Sequence, residues 1–275
     1  MEIRSGDAVA TIEREGGYIS SLKFSGRDIL LDGDMKNKTH GGCAMLFPYP
    51  NRIRDGKYRW GGTEYHLPIN SPPNSIHGLL NDTTLEIGSL QEDRLVLKGI
   101  ISNSGYPSPV SVEIHYSIRN NSLGIELHAE NRGKLQVPVA FGIHPYFLHG
   151  GQWALQGPEE YKFLKYEDRY FPNGDSYSVP AMDMRSESGL EFDSCFEFKG
   201  DMKLKCRDRL FRISGNRTGY YVIYNGKWCR SMSVALEPMT AAPDSYNNHL
   251  GIDVIEPGES KEFKVELNCS FIDQK

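Results

Sequence analysis

Four segments of the chain are too richly furnished to be plain strands or turns: Pro48–Gly56 (PYPNRIRDG), Asn70–Gly78 (NSPPNSIHG), Phe141–Phe147 (FGIHPYF) and Leu236–Asn248 (LEPMTAAPDSYNN). Each joins Pro or Gly to a His, Arg or Glu beside an aromatic or apolar residue. In the third, Pro145 drives His144 out of helical geometry, so the backbone is fixed where the imidazole is presented. Rigid presentation is what a catalytic group needs. Carboxylate and imidazole groups titrate in the range where general acid and base work is done near neutrality. Plainer readings stand beside these: His77 before Gly78 caps a turn, and Glu237, after the apolar run Val234–Leu236, is a strand-end residue reaching solvent.

The rest of the composition narrows the chemistry. In 275 residues, 31 Lys and Arg face 36 Asp and Glu, a net charge of −5 that does not suit a nucleic-acid clamp or a polybasic membrane binder. Apolar residues at 39% and charged residues at 24% are ordinary globular usage, which excludes disorder and collagen-like structure. No window is apolar enough to span a membrane, and the opening MEIRSGDAVATIER lacks a signal-peptide core, so a soluble cytoplasmic protein is expected. Cys43, Cys195, Cys206, Cys229 and Cys269 are widely spaced with no CxxC pair, which predicts buried thiols. Dinucleotide, P-loop, HExxH and GxSxG signatures are all missing, so chemistry without nucleotide, zinc or a serine nucleophile is expected.

The elements that must position these groups are strands. Val110, Val112, Ile114, Tyr116 and Ile118 alternate with polar or small residues, Asn120 and Asn121 break the run, and Leu123 to Ala129 alternate again, which predicts a long antiparallel hairpin. A second hairpin fits Lys57 to Leu67, folded at Gly61 and Gly62, and Phe263 to Phe271 alternate after the turn-like EPGES. Shorter apolar runs bring the expectation to a dozen or more strands, as in a sandwich or barrel, within one domain spanning residues 1–275. The stretch Glu159–Ser188 reads as a polar, irregular excursion at the rim.

Taken together and in order, NRIRDGKY, LPIN, NSIHG, FGIHPYF and ALEPMTAAPDSYN resemble the aldose 1-epimerases, or mutarotases. The resemblance runs from about Gly41 to the C-terminus and is weakest between Gly150 and Gly189. It implies an all-β fold, a large antiparallel β-sandwich of the galactose mutarotase-like super-sandwich type, and interconversion of sugar anomers with no cofactor and no metal. In that reading Glu237 is the base at the anomeric hydroxyl, His144 the acid at the ring oxygen, and His77 helps to hold that oxygen. The roles ask for a partly protonated His144 beside an ionised Glu237 near pH 7. Arg52, Asn51, Tyr146 and Asp193 in LEFDSCFEF would bind the sugar, with Asp183 the rival carboxylate. Tyr49, Tyr146, Phe147 and Tyr246 are candidates to pack on the C–H face of the ring. Leu79-Leu80 after His77-Gly78 departs from many relatives.

The expected partner is a small-molecule sugar, with the protein a monomer or homodimer and no role for nucleic acid or membrane. Two other readings compete. An epimerase of a hexose 6-phosphate needs a cation for the phosphate, for which Arg54 is the candidate, because the run Lys203, Lys205, Arg207 and Arg209 reads as a solvated strand face. A carbohydrate-binding protein without chemistry would keep the cleft but has no need of both His144 and Glu237.

Overall fold

The computed structural model describes residues 1–272. Its regular structure is mostly antiparallel β, gathered into two large sheets. The predicted hairpin is present: Val110–Arg119 and Ser122–Asn131 pair in unbroken register, burying the alternating apolar set. Asn120 turns the chain with φ 51°, a left-handed conformation that asparagine tolerates and β-branched residues resist. Ser260–Phe271 pairs beside it and buries Phe263, Val265, Leu267 and Cys269. These strands centre an eight-stranded sheet, in which Met202–Cys206 turns Lys203 and Lys205 outward as expected, whereas Arg209, at the start of the next strand, is largely buried and paired with Asp208. The five cysteines are buried free thiols. No helix among the described residues is long and apolar enough to cross a membrane.

The second sheet has eleven strands. At its centre Gly142–Leu148 lies between Cys43–Leu46 and Ser233–Met239, and the order continues through Tyr220–Tyr224, Asp193–Glu197 and Glu160–Tyr166 to the edge strand Pro172–Pro180. Side chains alternate across a pleated strand, so each central strand feeds two environments. Ile143, Phe147, Tyr221, Ile223, Val234 and Leu236 join the common core with residues of the eight-stranded sheet, such as Ile114 and Leu127. His144, Tyr146, Tyr224, Ala235 and Glu237 point the other way, into a face roofed by loops. Ser233–Met239 is therefore buried at every position, and such a strand reads as a continuous apolar run rather than an alternation.

One expectation is corrected here. The Glu159–Ser188 stretch is an antiparallel hairpin, Glu160–Tyr166 with Pro172–Pro180, that extends the sheet. Tyr161 and Phe163 anchor it in the core. The prolines that made the sequence look irregular sit at the ends of a strand on the sheet edge, where a missing N–H costs no ladder bond.

Candidate active site

Sheet register creates the central pair. The ladder matches Gly142 with Met239 and Tyr146 with Ala235, so His144 and Glu237, two residues in from either end, stand directly opposite one another. Opposed residues are the closest neighbours across an antiparallel sheet, and His144 Nε2 lies 3.3 Å from Glu237 Oε1. Both side chains are buried, Glu237 to 2% exposure. Glu237 is thus not a solvent-facing strand end.

His77 arrives from a different structure. Asn51 and His77, both with positive φ (56° and 61°), flank the short ladder of Arg52–Ile53 with Ser75–Ile76. The N–H of His77 donates to Asn51 O at 2.9 Å, and that of Asn51 donates to His77 Nδ1 at 3.3 Å. An Nδ1 that accepts carries no proton, so neutral His77 holds its proton on Nε2 and offers a donor there. The rings of His77 and His144 meet edge-on at 5.3 Å, which places the donor beside the central pair.

The cavity over these groups measures about 380 Å³ and is lined by Asn51, Arg52, His77, His144, Tyr146, Asp193 and Glu237 among others. The seven residues first expected to carry the chemistry or bind the sugar line this one cavity. Asp193, on the strand next but one to Glu237, lines the cavity, whereas Asp183 sits in a 3-10 turn away from it. Of the seven buried side-chain polar atoms without a protein partner among the described residues, three belong to cavity residues: Arg52 Nε, His144 Nδ1 and Glu237 Oε2. Buried polar atoms are seldom left unpaired without a reason, and three around one cavity mark a place for a polar ligand. Two wider grooves, about 700 and 790 Å³, lie on the outer face of the eight-stranded sheet. Their charges, such as Lys264 between Glu126 and Glu262, are exposed and paired with one another.

The aromatic expectations divide. Tyr146 lines the cavity, but its ring stacks on His144 at 4.9 Å and its hydroxyl donates to Thr39 O, so it holds the imidazole in place. Tyr49, Phe147 and Tyr246 belong to the core: the Tyr49 hydroxyl lies 2.7 Å from Ser75 Oγ, and that of Tyr246 lies 2.9 and 2.8 Å from the carbonyls of Pro48 and Pro138. Arg54 is not a free phosphate cation. It pairs with Glu167, with Asp168 at 3.2 Å and with Asp244 at 4.0 Å. Sequence reasoning missed His40 stacked on Trp228 at 3.6 Å, Tyr224, and Arg169 with Tyr170, all of which line the cavity. No local motif marks them, because each comes from a loop or strand whose position depends on the whole sheet.

Burial sets the protonation states. It pushes His144 down to about 3 and His77 well below the imidazole range, the neighbouring His144 adding to the latter. It pushes Glu237 well above the carboxylate range, with Asp193 adding to the rise and Arg52 opposing it. Burial thus works against charge on either group, in the opposite sense to the expected imidazolium and carboxylate. Neutral imidazole with carboxylic acid and imidazolium with carboxylate hold the same number of protons and differ only by transfer of one between His144 and Glu237. The ligand atoms of His77, His144 and Glu237 lie within 4.8 Å of one another, yet His77 shows a donor rather than a lone pair, which does not suit a metal ion.

A two-sheet antiparallel β fold here brings a carboxylate, two imidazoles and a guanidinium together around one polar cavity. The chain belongs to the aldose 1-epimerase family, whose model matches residues 1–268. It is 27% identical to protein YihR of Escherichia coli (strain K12) over 94% of this chain and 89% of that one. It is 28% identical to the galactose mutarotase of Mus musculus over 70% of this chain and 59% of the other. The chain thus spans little more than half the length of that mutarotase. The fold matches a solved putative aldose 1-epimerase of E. coli K12 (TM-score 0.81, 20% identity, 98% of both chains). It also matches a galactose mutarotase-like protein of Clostridium acetobutylicum (TM-score 0.84, 19% identity, 98% and 95%).

Proposed function

We propose that the protein interconverts the α and β anomers of a free aldose by opening and reclosing the hemiacetal ring, with no cofactor. The observation that carries this is the His144–Glu237 contact. Ring opening takes the proton from the anomeric hydroxyl, delivers one to the ring oxygen and breaks the bond from C1 to that oxygen as the aldehyde forms. Rotation about the C1–C2 bond and the reverse transfers close the other anomer. Both oxygens are bonded to the same carbon, so the donor and acceptor that serve them must lie close together, as these two side chains do. In either form the pair contains one proton to give and one lone pair to receive. A positioned group of this kind contributes about 10²–10⁴-fold.

With the Glu237 proton passed to His144 across their 3.3 Å contact, the Glu237 carboxylate takes the proton of the anomeric hydroxyl and the His144 imidazolium gives one to the ring oxygen, which the Nε2–H of His77 also holds. Arg52, Asn51 and Asp193 bind the sugar hydroxyls. Anomer exchange followed by NMR saturation transfer on glucose, galactose, xylose, arabinose and glucose 6-phosphate tests the reading. Acceleration on a free sugar supports it, acceleration on the phosphate alone replaces it with a phosphosugar epimerase, and sugar binding without acceleration makes the protein a binder.

Two results are expected in the same assay. Asp193→Asn raises KM about tenfold, the effect of about one lost charge-assisted hydrogen bond, while Asp183→Asn leaves KM unchanged. Equal effects would return the question to the two carboxylates. The profile of kcat/KM against pH reports the free enzyme. With His144 titrating at about 3, the profile shows no acid limb from this imidazole at its ordinary value. An acid limb centred near that value would show that His144 is not desolvated as the structure has it.

A further inference from the structure

The tip of the hairpin Glu160–Tyr166 with Pro172–Pro180 reaches from the sheet edge to the cavity, in the stretch where the sequence resembles the family least. Two arginines from the segment after Asn51 hold it. The guanidinium of Arg52 lies over the Tyr170 ring at 3.8 Å from its centre, and that of Arg54 over Phe171 at 4.2 Å. Arg54 also binds the acidic side of the tip through Glu167 and Asp168. The turn is internally braced: Asp168 Oδ1 accepts from the N–H of Tyr170 at 2.8 Å and of Phe171 at 3.2 Å, and the Glu167 N–H donates to Phe171 O at 2.9 Å.

Arg52 needs such support. Its Nε is buried with no acceptor, and no hydrogen bond or ion pair among the described residues holds its guanidinium. The Tyr170 ring is the contact that defines where that group sits. We propose that Tyr170 is a positioning residue for Arg52, and that Arg54, by clamping the Glu167–Phe171 turn, fixes Tyr170 in turn. A long flexible side chain is thereby held over the cavity before the sugar arrives, and its donors meet the hydroxyls without first losing rotamer freedom. The role assigned to Arg52 here rests on the proposed function; its placement does not.

The test reads placement and function separately. In protein labelled with 15N-arginine, the Arg52 Nε–H resonance, assigned by its loss in Arg52→Lys, carries the ring-current shift of Tyr170. Tyr170→Ala moves it toward the free-arginine position, Tyr170→Phe keeps it, and Arg54→Met moves it in the same direction as Tyr170→Ala. In the anomer-exchange assay Tyr170→Ala raises KM about tenfold with kcat within about threefold, the scale of one desolvated guanidinium–ring contact. Tyr170→Phe restores KM, and Tyr170→Ala with Arg54→Met is no worse than Tyr170→Ala alone, since both changes break one chain of contacts. An unmoved resonance in Tyr170→Ala, a Phe variant that behaves like Ala, or fully additive effects would overturn the proposal. If the wild type accelerates no sugar while the resonance moves as described, the positioning stands and the mutarotase reading falls.

Discussion

Glu237→Gln is expected to lower anomer exchange about 10²–10⁴-fold while making the protein more stable at alkaline pH. The loss follows from the proton relay: the amide keeps the shape of the side chain but cannot alternate between acid and base across its 3.3 Å contact with His144. The gain follows from burial. Glu237 has a folded-state pKa raised by desolvation, so its stability contribution is whole below the ordinary carboxylate value and is lost as pH rises toward the folded value. Gln does not titrate and loses nothing over that window. Thermal midpoints of the two proteins should then coincide near pH 4 and diverge, in favour of Gln, as pH increases. Exchange within about threefold of wild type would remove Glu237 as the proton carrier. A Gln variant that melts lower at pH 8 would show that the carboxyl is not held at a cost to the fold, as functional groups often are.

Gly78→Ala should have the largest effect on the fold of any single methyl added near the site. Gly78 has φ +80°, and a Cβ there would lie 2.2 Å from the carbonyl oxygen of Phe47 and 2.5 Å from its carbon. The obstacle is backbone and cannot swing aside. The same oxygen accepts the N–H groups of Leu79 and Leu80, each at 2.9 Å, which accounts for the Leu79-Leu80 pair as part of the turn that presents His77. Strain and clash together should cost more than about 3 kcal/mol, read as a lower urea midpoint, and the fraction that still folds should bind sugar poorly because His77 is displaced. Gly189→Ala is the control: its φ is +71° but nothing lies within 4 Å, so only the left-handed strain of about 1–2 kcal/mol remains. Equal midpoints for the two variants would show that Phe47 yields and that the turn is not rigid.

What could be read from the sequence was local. The alternation of Val110 to Ile118, the Asn120-Asn121 turn and the final strand follow from a period of two and from the backbone freedom of particular residues, and the structure keeps them. The prolines and glycines around His77, His144 and Glu237 also marked those side chains as rigidly presented, and the motifs marked which side chains to watch. The Glu160–Tyr166 hairpin escaped because its prolines carry opposite meanings in a loop and on a sheet edge. Tyr49, Phe147 and Tyr246 could not be told from cavity walls, since an aromatic residue suits either place. Tertiary structure alone decided that His144 faces Glu237, that Arg54 is spent on the Glu167–Phe171 turn and that Tyr170 lies against Arg52. It also set the burial that works against charge on both members of the central pair. The reason is physical: pleat and turn propensities act over a few residues, whereas partners are set by sheet order and register, and pKa values by how completely the surrounding loops exclude water.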